Sequence, residues 1–352
     1  FNSYMQLLNT LSMQLSQREQ QSLGQLTGAA LPLYISELVQ QHPAVYLLIV
    51  QDTPAALRLE QELAVFLDPS QCPLLTLPDW ETLPYDVFSP HQDIISQRLE
   101  TLYRLPRLKH ALVIVPVSTL LLRIAGREHL EQHSFLIREQ QQTDLTALKQ
   151  QLTAVGYRHV EQVMEHGEFS VRGSLLDLYP MGATTPYRID FFDDEVDAIR
   201  TFDPDTQRSL DKVPQIALLP AHEFPTDKTA IERFRLKYRE RFAARNEKES
   251  LYQQVSQGVM PAGIEYYLPL FTEKTATLFD YFSAEVLPVI AAGVGEAAAA
   301  FWAQTGTGLF DGQPAVEKLR LIWGCGIWLA VWLAVNYGLM TSLSQMLLSG
   351  SF

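Results

Sequence analysis

The sequence predicts an α/β protein: a mostly parallel sheet laid down in two segments, with a small α+β domain inserted between them. Three observations predict it. Uncharged apolar runs at residues 44–50 and at the start of "HALVIVPVSTLLLRI" (110–124) each pass into a helical period, as expected of strands buried on both faces. Near residue 134 the pattern changes to one helix and several short strands. From about residue 218 it returns to a strand, a Pro/Asp turn and a long charged helix, so the second pattern reads as an insertion into the first.

Taken in order, residues 1–19 form a polar, helix-prone lead-in without the basic start or continuous apolar core of a secretory signal. "GQLTGAALPLYISEL" (24–38) has the outline of a phosphate-binding loop, a small-residue turn leading into a helix. Such a loop needs a Lys for the terminal phosphates and a hydroxyl for Mg²⁺. Leu31 and Pro32 stand in those places, so Thr27, Gly28 and Leu31 mark a degenerate loop that is not expected to bind nucleotide.

Asp52 or Thr53 is placed to cap a helix with Pro54 in its first turn, and Leu57, Leu63 and Leu67 are read as its apolar face. "PLLTLP" (73–78) is a second short strand, and residues 110–124 run from strand into helix. After residue 134 come a strand, a helix and short strands, with "PYRIDFFDDEVDAIRTFDPDTQRSL" (186–210) read as a hairpin turning at Asp193-Asp194-Glu195. In "YRIDFF" a period of two puts Tyr187, Ile189 and Phe191 on one face and Arg188, Asp190 and Phe192 on the other. A large aromatic beside an Arg on a polar face is the composition of an interface hot spot; a neighbouring loop covering Phe192 is the alternative. Arg172, before a Gly, projects from a strand end near the same surface.

The totals restrict function further. A net charge of −13 over 352 residues argues against a surface given over to nucleic acid. The two cysteines, Cys72 and Cys325, form no framework or zinc pattern and fit a reducing cytoplasm. No His sits four residues from His166, and Asp193-Asp194-Glu195 is a solvated turn, so no metal site or cofactor is expected. The helix near 230–248 carries Arg233, Arg235, Lys237, Arg239, Arg241 and Arg245, with Ile231, Phe234 and Tyr238 or Phe242 inward. Interleaved Glu232, Glu240 and Glu247 favour an ion-paired face over a DNA grip. Residues 321–339 are a mostly apolar stretch of membrane-spanning length, read as a buried helix or an altered gene end in preference to an anchor.

Several long segments carry a resemblance: "LPDWETLPYDVFSPHQDIISQRLETLYRL" (77–105), "GYRHVEQVMEHGEFSVRGSLLDLYPMG" (156–182), "PYRIDFFDDEVDAIRTFD" (186–203), "LLPAHEFPTDK" (218–228) and "GIEYYLPLF" (263–271). In this order they resemble the UvrB-like N-terminal region of the bacterial transcription-repair coupling factors, from about Gln20 to Phe282. The resemblance implies a degenerate helicase-like layer at 20–133 and 218–300, an inserted UvrA-binding domain at 134–217, and a divergent tail at 301–352. It implies that the working phosphate loop of UvrB is lost here, and that Tyr85-Asp86 runs on without room for UvrB's DNA-threading hairpin. It implies docking on UvrA through Arg172, Arg188 and Phe192, by a monomer that is not an enzyme. DNA and RNA polymerase would be engaged only by family domains that this chain lacks, and a membrane is not an expected partner.

Overall fold

In the computed structural model the described residues are 26, 28–82, 87–242 and 251–306. The lead-in 1–19, Thr27, Tyr85-Asp86, Arg245 with Glu247, and the apolar stretch 321–339 lie outside them. Among the described residues no helix is long and apolar enough to cross a membrane.

The first layer is a four-stranded parallel sheet in the order β14-β1-β3-β2. Its strands are β1 (Val45–Val50), β2 (Leu74–Thr76), β3 (Ala111–Pro116) and β14 (Val286–Ile290). Every residue of β1 and β3 is buried, because both sheet faces are covered. The alternation divides them between two cores. Tyr46, Leu48 and Val50 join Leu112 and Ile114 beneath helices α1 (Ala30–Gln41) and α2 (Thr53–Ala64). Val45, Leu47 and Ile49 join Val113 and Val115 on the other face, with Leu99 and Leu102 of α3 (Gln92–Arg104).

Asp52 caps α2, accepting a hydrogen bond from the Ala55 N–H at 2.8 Å, with Pro54 in the first turn. Its buried face is Ala56, Leu59 and Leu63, continued by Leu67. Leu57 is exposed, contrary to the expected face. The reason is spacing: Leu63 is six positions after Leu57, which puts them about 120° apart around a helix that turns every 3.6 residues.

After β3 come a single helical turn α4 (Val117–Leu120), β4 (Ile124–Ala125) and α5 (Arg127–His133). The chain then enters a two-stranded antiparallel stem, β5 (Phe135–Arg138) against β12 (Gln215–Leu218), in register Phe135 to Leu218. Between the stem strands lie α6 (Leu145–Ala154) and a six-stranded, mainly antiparallel sheet in the order β11-β10-β9-β8-β7-β6. Those strands are β6 (Arg158–His159), β7 (Glu168–Arg172), β8 (Leu175–Tyr179), β9 (Tyr187–Phe192), β10 (Glu195–Phe202) and β11 (Ser209–Lys212). Leu148 and Leu152 of α6 share a core with Phe169, Leu176, Ile189 and Ile199 of this sheet.

Beyond the stem, α7 (Lys228–Phe242) buries Phe234 and Phe242 against Tyr267, Leu268 and Phe271. The chain then adds α8 (Leu251–Ser256), α9 (Leu268–Phe271) and β13 (Thr275–Ala276), which pairs with β4. It closes with β14 on the edge of the parallel sheet and α10 (Val294–Gly306). The α/β class and the layer, insert and return of the chain follow the sequence reading.

Candidate partner-binding surface

Strand β9 places its side chains as a period of two requires. Ile189 and Phe191 are buried, while Phe192 is 75% exposed, at the end of the opposite face. Among the described residues no loop covers Phe192, so none of them makes it a sheltered aromatic. The turn that follows is the pair Asp193-Asp194, with Asp193 in the left-handed region at φ 51°, which Asp tolerates better than most residues.

The tip is strapped from one side by residues 140–143. The N–H of Gln140 donates to Val196 O at 2.8 Å, Val196 N–H to Gln141 O at 3.0 Å, and Thr143 N–H to Asp194 O at 2.7 Å. The Gln142 side-chain amide donates to Glu195 Oε2 at 2.7 Å. Phe192 is therefore held out on a fixed hairpin. On the other side the Phe191 N–H donates to Ser174 O at 2.9 Å, which brings the β7–β8 turn, and with it Arg172, to the same end of the sheet.

Arg172 and Arg188 meet on one carboxylate that the sequence reading missed. Asp177, in the middle of β8, is 2% exposed. Its Oδ1 accepts from Arg188 Nε at 2.7 Å and its Oδ2 from Arg188 Nη2 at 2.9 Å, a two-pronged pairing of the strong kind. Arg172 Nη2 donates to the same Oδ2. Arg188 also gives Nη1 to Gln207 O and Ser209 Oγ, both at 3.2 Å, and its guanidinium lies 5.0 Å from the Phe202 ring centre. Its hydrogen bonds to Asp177 raise its pKa above the ordinary arginine value.

The two arginines differ in access. The side chain of Arg172 is 51% exposed and that of Arg188 only 14%. Strand register explains the cluster: Ser170, Asp177, Arg188 and Arg200 stand opposite one another across β7, β8, β9 and β10, and Arg200 pairs with Lys212 of β11. Arg200 in turn is ion-paired with Asp190 of β9. The alternation "LLDLY", with Leu176 and Leu178 inward, was the signal that could have put Asp177 on this face.

The other candidates resolve differently. In the stretch read from the sequence as a degenerate phosphate loop, Gly28 has φ 58° with open space around it, and Leu31 packs against the core that holds α1 and α2. His166 is a junction residue, its Nδ1 2.7 Å from Asp93 Oδ1, its Nε2 2.7 Å from Ala183 O, and its ring on Tyr179. Among the described residues no group of three His, Cys, Asp or Glu could hold a metal. On α7 two of the cations, Arg233 and Lys237, are engaged within the fold. Arg233 donates to Phe271 O at 2.7 Å, and Lys237 to Pro269 O and Thr272 O at 3.2 and 2.6 Å. Burial lowers the Lys237 pKa.

Comparison with known proteins places this surface inside a described domain. Residues 135–224 match the UvrB interaction domain. The chain is 51% identical over 288 residues to the transcription-repair-coupling factor of Escherichia coli (strain K12), covering 82% of this chain and 25% of that protein. It is 48% identical over 266 residues to that of Haemophilus influenzae, covering 75% and 23%. The transcription-repair-coupling factor of Bacillus subtilis (strain 168) is 29% identical over 280 residues, covering 75% and 23%. The chain thus spans about a quarter of the length of the curated relatives it matches.

Proposed function

We propose that this chain, which carries the UvrB-like region of a transcription-repair coupling factor with its UvrB interaction domain, is an adaptor that recruits UvrA to link stalled transcription to nucleotide excision repair. The observation that carries the reading is the exposed Phe192 on its strapped hairpin, beside the Arg172–Asp177–Arg188 cluster, within the matched domain. A rigid aromatic next to charge-assisted donors is what an interface hot spot requires.

The unit that docks is the segment 134–217, mounted on a degenerate helicase-like layer at 20–133 and 218–300. The chain works in the cytoplasm as a monomer without ATPase or motor activity of its own. Leu31 and Pro32 at the phosphate loop support this, since neither carries the charge or hydroxyl that a nucleotide with Mg²⁺ needs. RNA polymerase and DNA are engaged by parts of the relatives that this chain does not match. The engagement of Arg233 and Lys237 takes two of the α7 cations away from a DNA grip.

Titration of UvrA against the chain tests the reading, with Phe192→Ala and Arg172→Glu in parallel. Saturable binding by the parent, lost in both variants while both stay folded, is the expected result. A folded parent that does not bind UvrA overturns it.

A further inference from the structure

Two arginine heads and one buried carboxylate are an unusual way to present a cationic surface. Asp177 is nearly inaccessible, so a docking protein does not reach it. Yet it takes hydrogen bonds from both residues beside Phe192: Arg188 through two nitrogens, and Arg172 through one. Among the described residues no other group takes the remaining donors of Arg172. A long arginine side chain at a strand end, half in water, otherwise samples many rotamers and must be ordered on binding. Tied at one nitrogen, it keeps its other donors free and in place.

We propose that Asp177 is the positioning residue of this surface: it orders Arg172 beside Arg188 before the partner arrives, so the contact forms on a pre-set pair of guanidinium groups. The charge count also indicates the partner's chemistry. Two arginines on one aspartate leave one positive charge, which asks for a carboxylate opposite Arg172, next to an apolar recess that takes Phe192. The inference rests on the recruiting function proposed above and deepens it.

The test is a double-mutant cycle on the full chain, with UvrA as the probe. Binding is measured for the parent, Asp177→Asn, Arg172→Ala and the double variant, with thermal melts of each. Asp177→Asn is expected to weaken binding about tenfold or more. Arg172→Ala should then cost much less in the Asp177→Asn background than in the parent, because the residue it removes is no longer ordered. Equal costs in both backgrounds, or an Asp177→Asn variant that binds like the parent, overturn the proposal. Should Asp177→Asn fail to fold, Asp177→Glu keeps the charge but displaces it by one methylene. It is expected to fold, to bind more weakly, and to show the same non-additivity; additive costs there count against the proposal equally. A parent that does not bind UvrA removes the recruiting function and this proposal together. A parent whose binding is lost in Phe192→Ala but untouched in Asp177→Asn removes this proposal alone.

Discussion

Arg98 and Glu223 are 125 residues apart in sequence and form a buried two-pronged ion pair, Nε to Oε1 at 2.6 Å and Nη2 to Oε2 at 3.0 Å. Trp80 Nε1 donates to the same Oε1 at 2.9 Å, and Arg98 Nη1 donates to Pro78 O at 2.6 Å. The pair joins α3 to the segment that follows the stem, so it ties the chain before the insert to the chain after it. Buried ions that have lost water are costly to leave alone. Glu223→Ala should therefore destabilise by about 3–5 kcal/mol. The apolar double variant Arg98→Met/Glu223→Leu should recover most of that. Urea unfolding checks both, and a single variant costing under about 1 kcal/mol would show that water or another group replaces the lost partner.

Phe192 gives the opposite separation of effects. Being exposed, it contributes little to folding, so Phe192→Ala should leave stability within about 0.5 kcal/mol. Its loss should cost roughly 2 kcal/mol or more in UvrA affinity. Calorimetric titration and a melt on the same sample separate the two quantities. A large fall in melting temperature would mean the side chain is structural after all.

Gly182 sits where the β8–β9 connection crosses α3. Its φ is +80°, its N–H donates to Ser96 Oγ at 2.8 Å, and an added Cβ would lie 2.8 Å from Leu219 Cδ1 and 3.3 Å from Glu100 Cβ. Gly182→Ala meets both left-handed strain and a close neighbour, and should destabilise by about 1–3 kcal/mol. Differential scanning calorimetry reads this directly; an unchanged transition would mean the turn relaxes freely.

Glu265 supplies a pH dependence with a definite sign. Burial, with the Glu223 carboxylate adding like charge, pushes its pKa up to about 7 from the ordinary 4.5, while Ser89 Oγ donates to it at 3.0 Å. Between those two values the folded chain holds a proton that the unfolded chain has released. Its contribution to stability is therefore greatest below pH 4.5, declines as pH rises to about 7, and is level above. The full decline is on the order of 3 kcal/mol. Glu265→Gln removes this term, so the stability of the parent relative to the variant should fall between pH 5 and pH 8. Urea titrations at the two pH values measure it, and a constant difference would rule the assignment out.

Much of the fold was legible because parallel strands buried on both faces read as unbroken apolar runs, as in β1 and β3. Strand β14 was not singled out: Pro288 lies in its middle, and only its place at the sheet edge makes that proline tolerable. The face of α2 was misread at Leu57 because a run of leucines does not by itself give the phase of a helix. On the binding surface, alternation in β9 separated Ile189 and Phe191 from Arg188 and Phe192, but periodicity says nothing of neighbouring strands. Asp177 and Arg200 become partners of Arg188 and Asp190 only through register. Whether Phe192 was covered likewise depended on where residues 140–143 run.

The stem of β5 and β12 has a mechanical consequence. Both strands leave the parallel-sheet layer together and run into the insert side by side. A pull on the insert along the stem therefore loads two covalent backbones in tandem and does not slide one strand against the other. The four paired residues on each side need only resist bending and torsion. A tug on the hairpin tip would load the hydrogen bonds of the strap at 140–143 before it parted the stem. The insert can thus be hauled on by a bound partner, with its outermost turn loaded first and its attachment last.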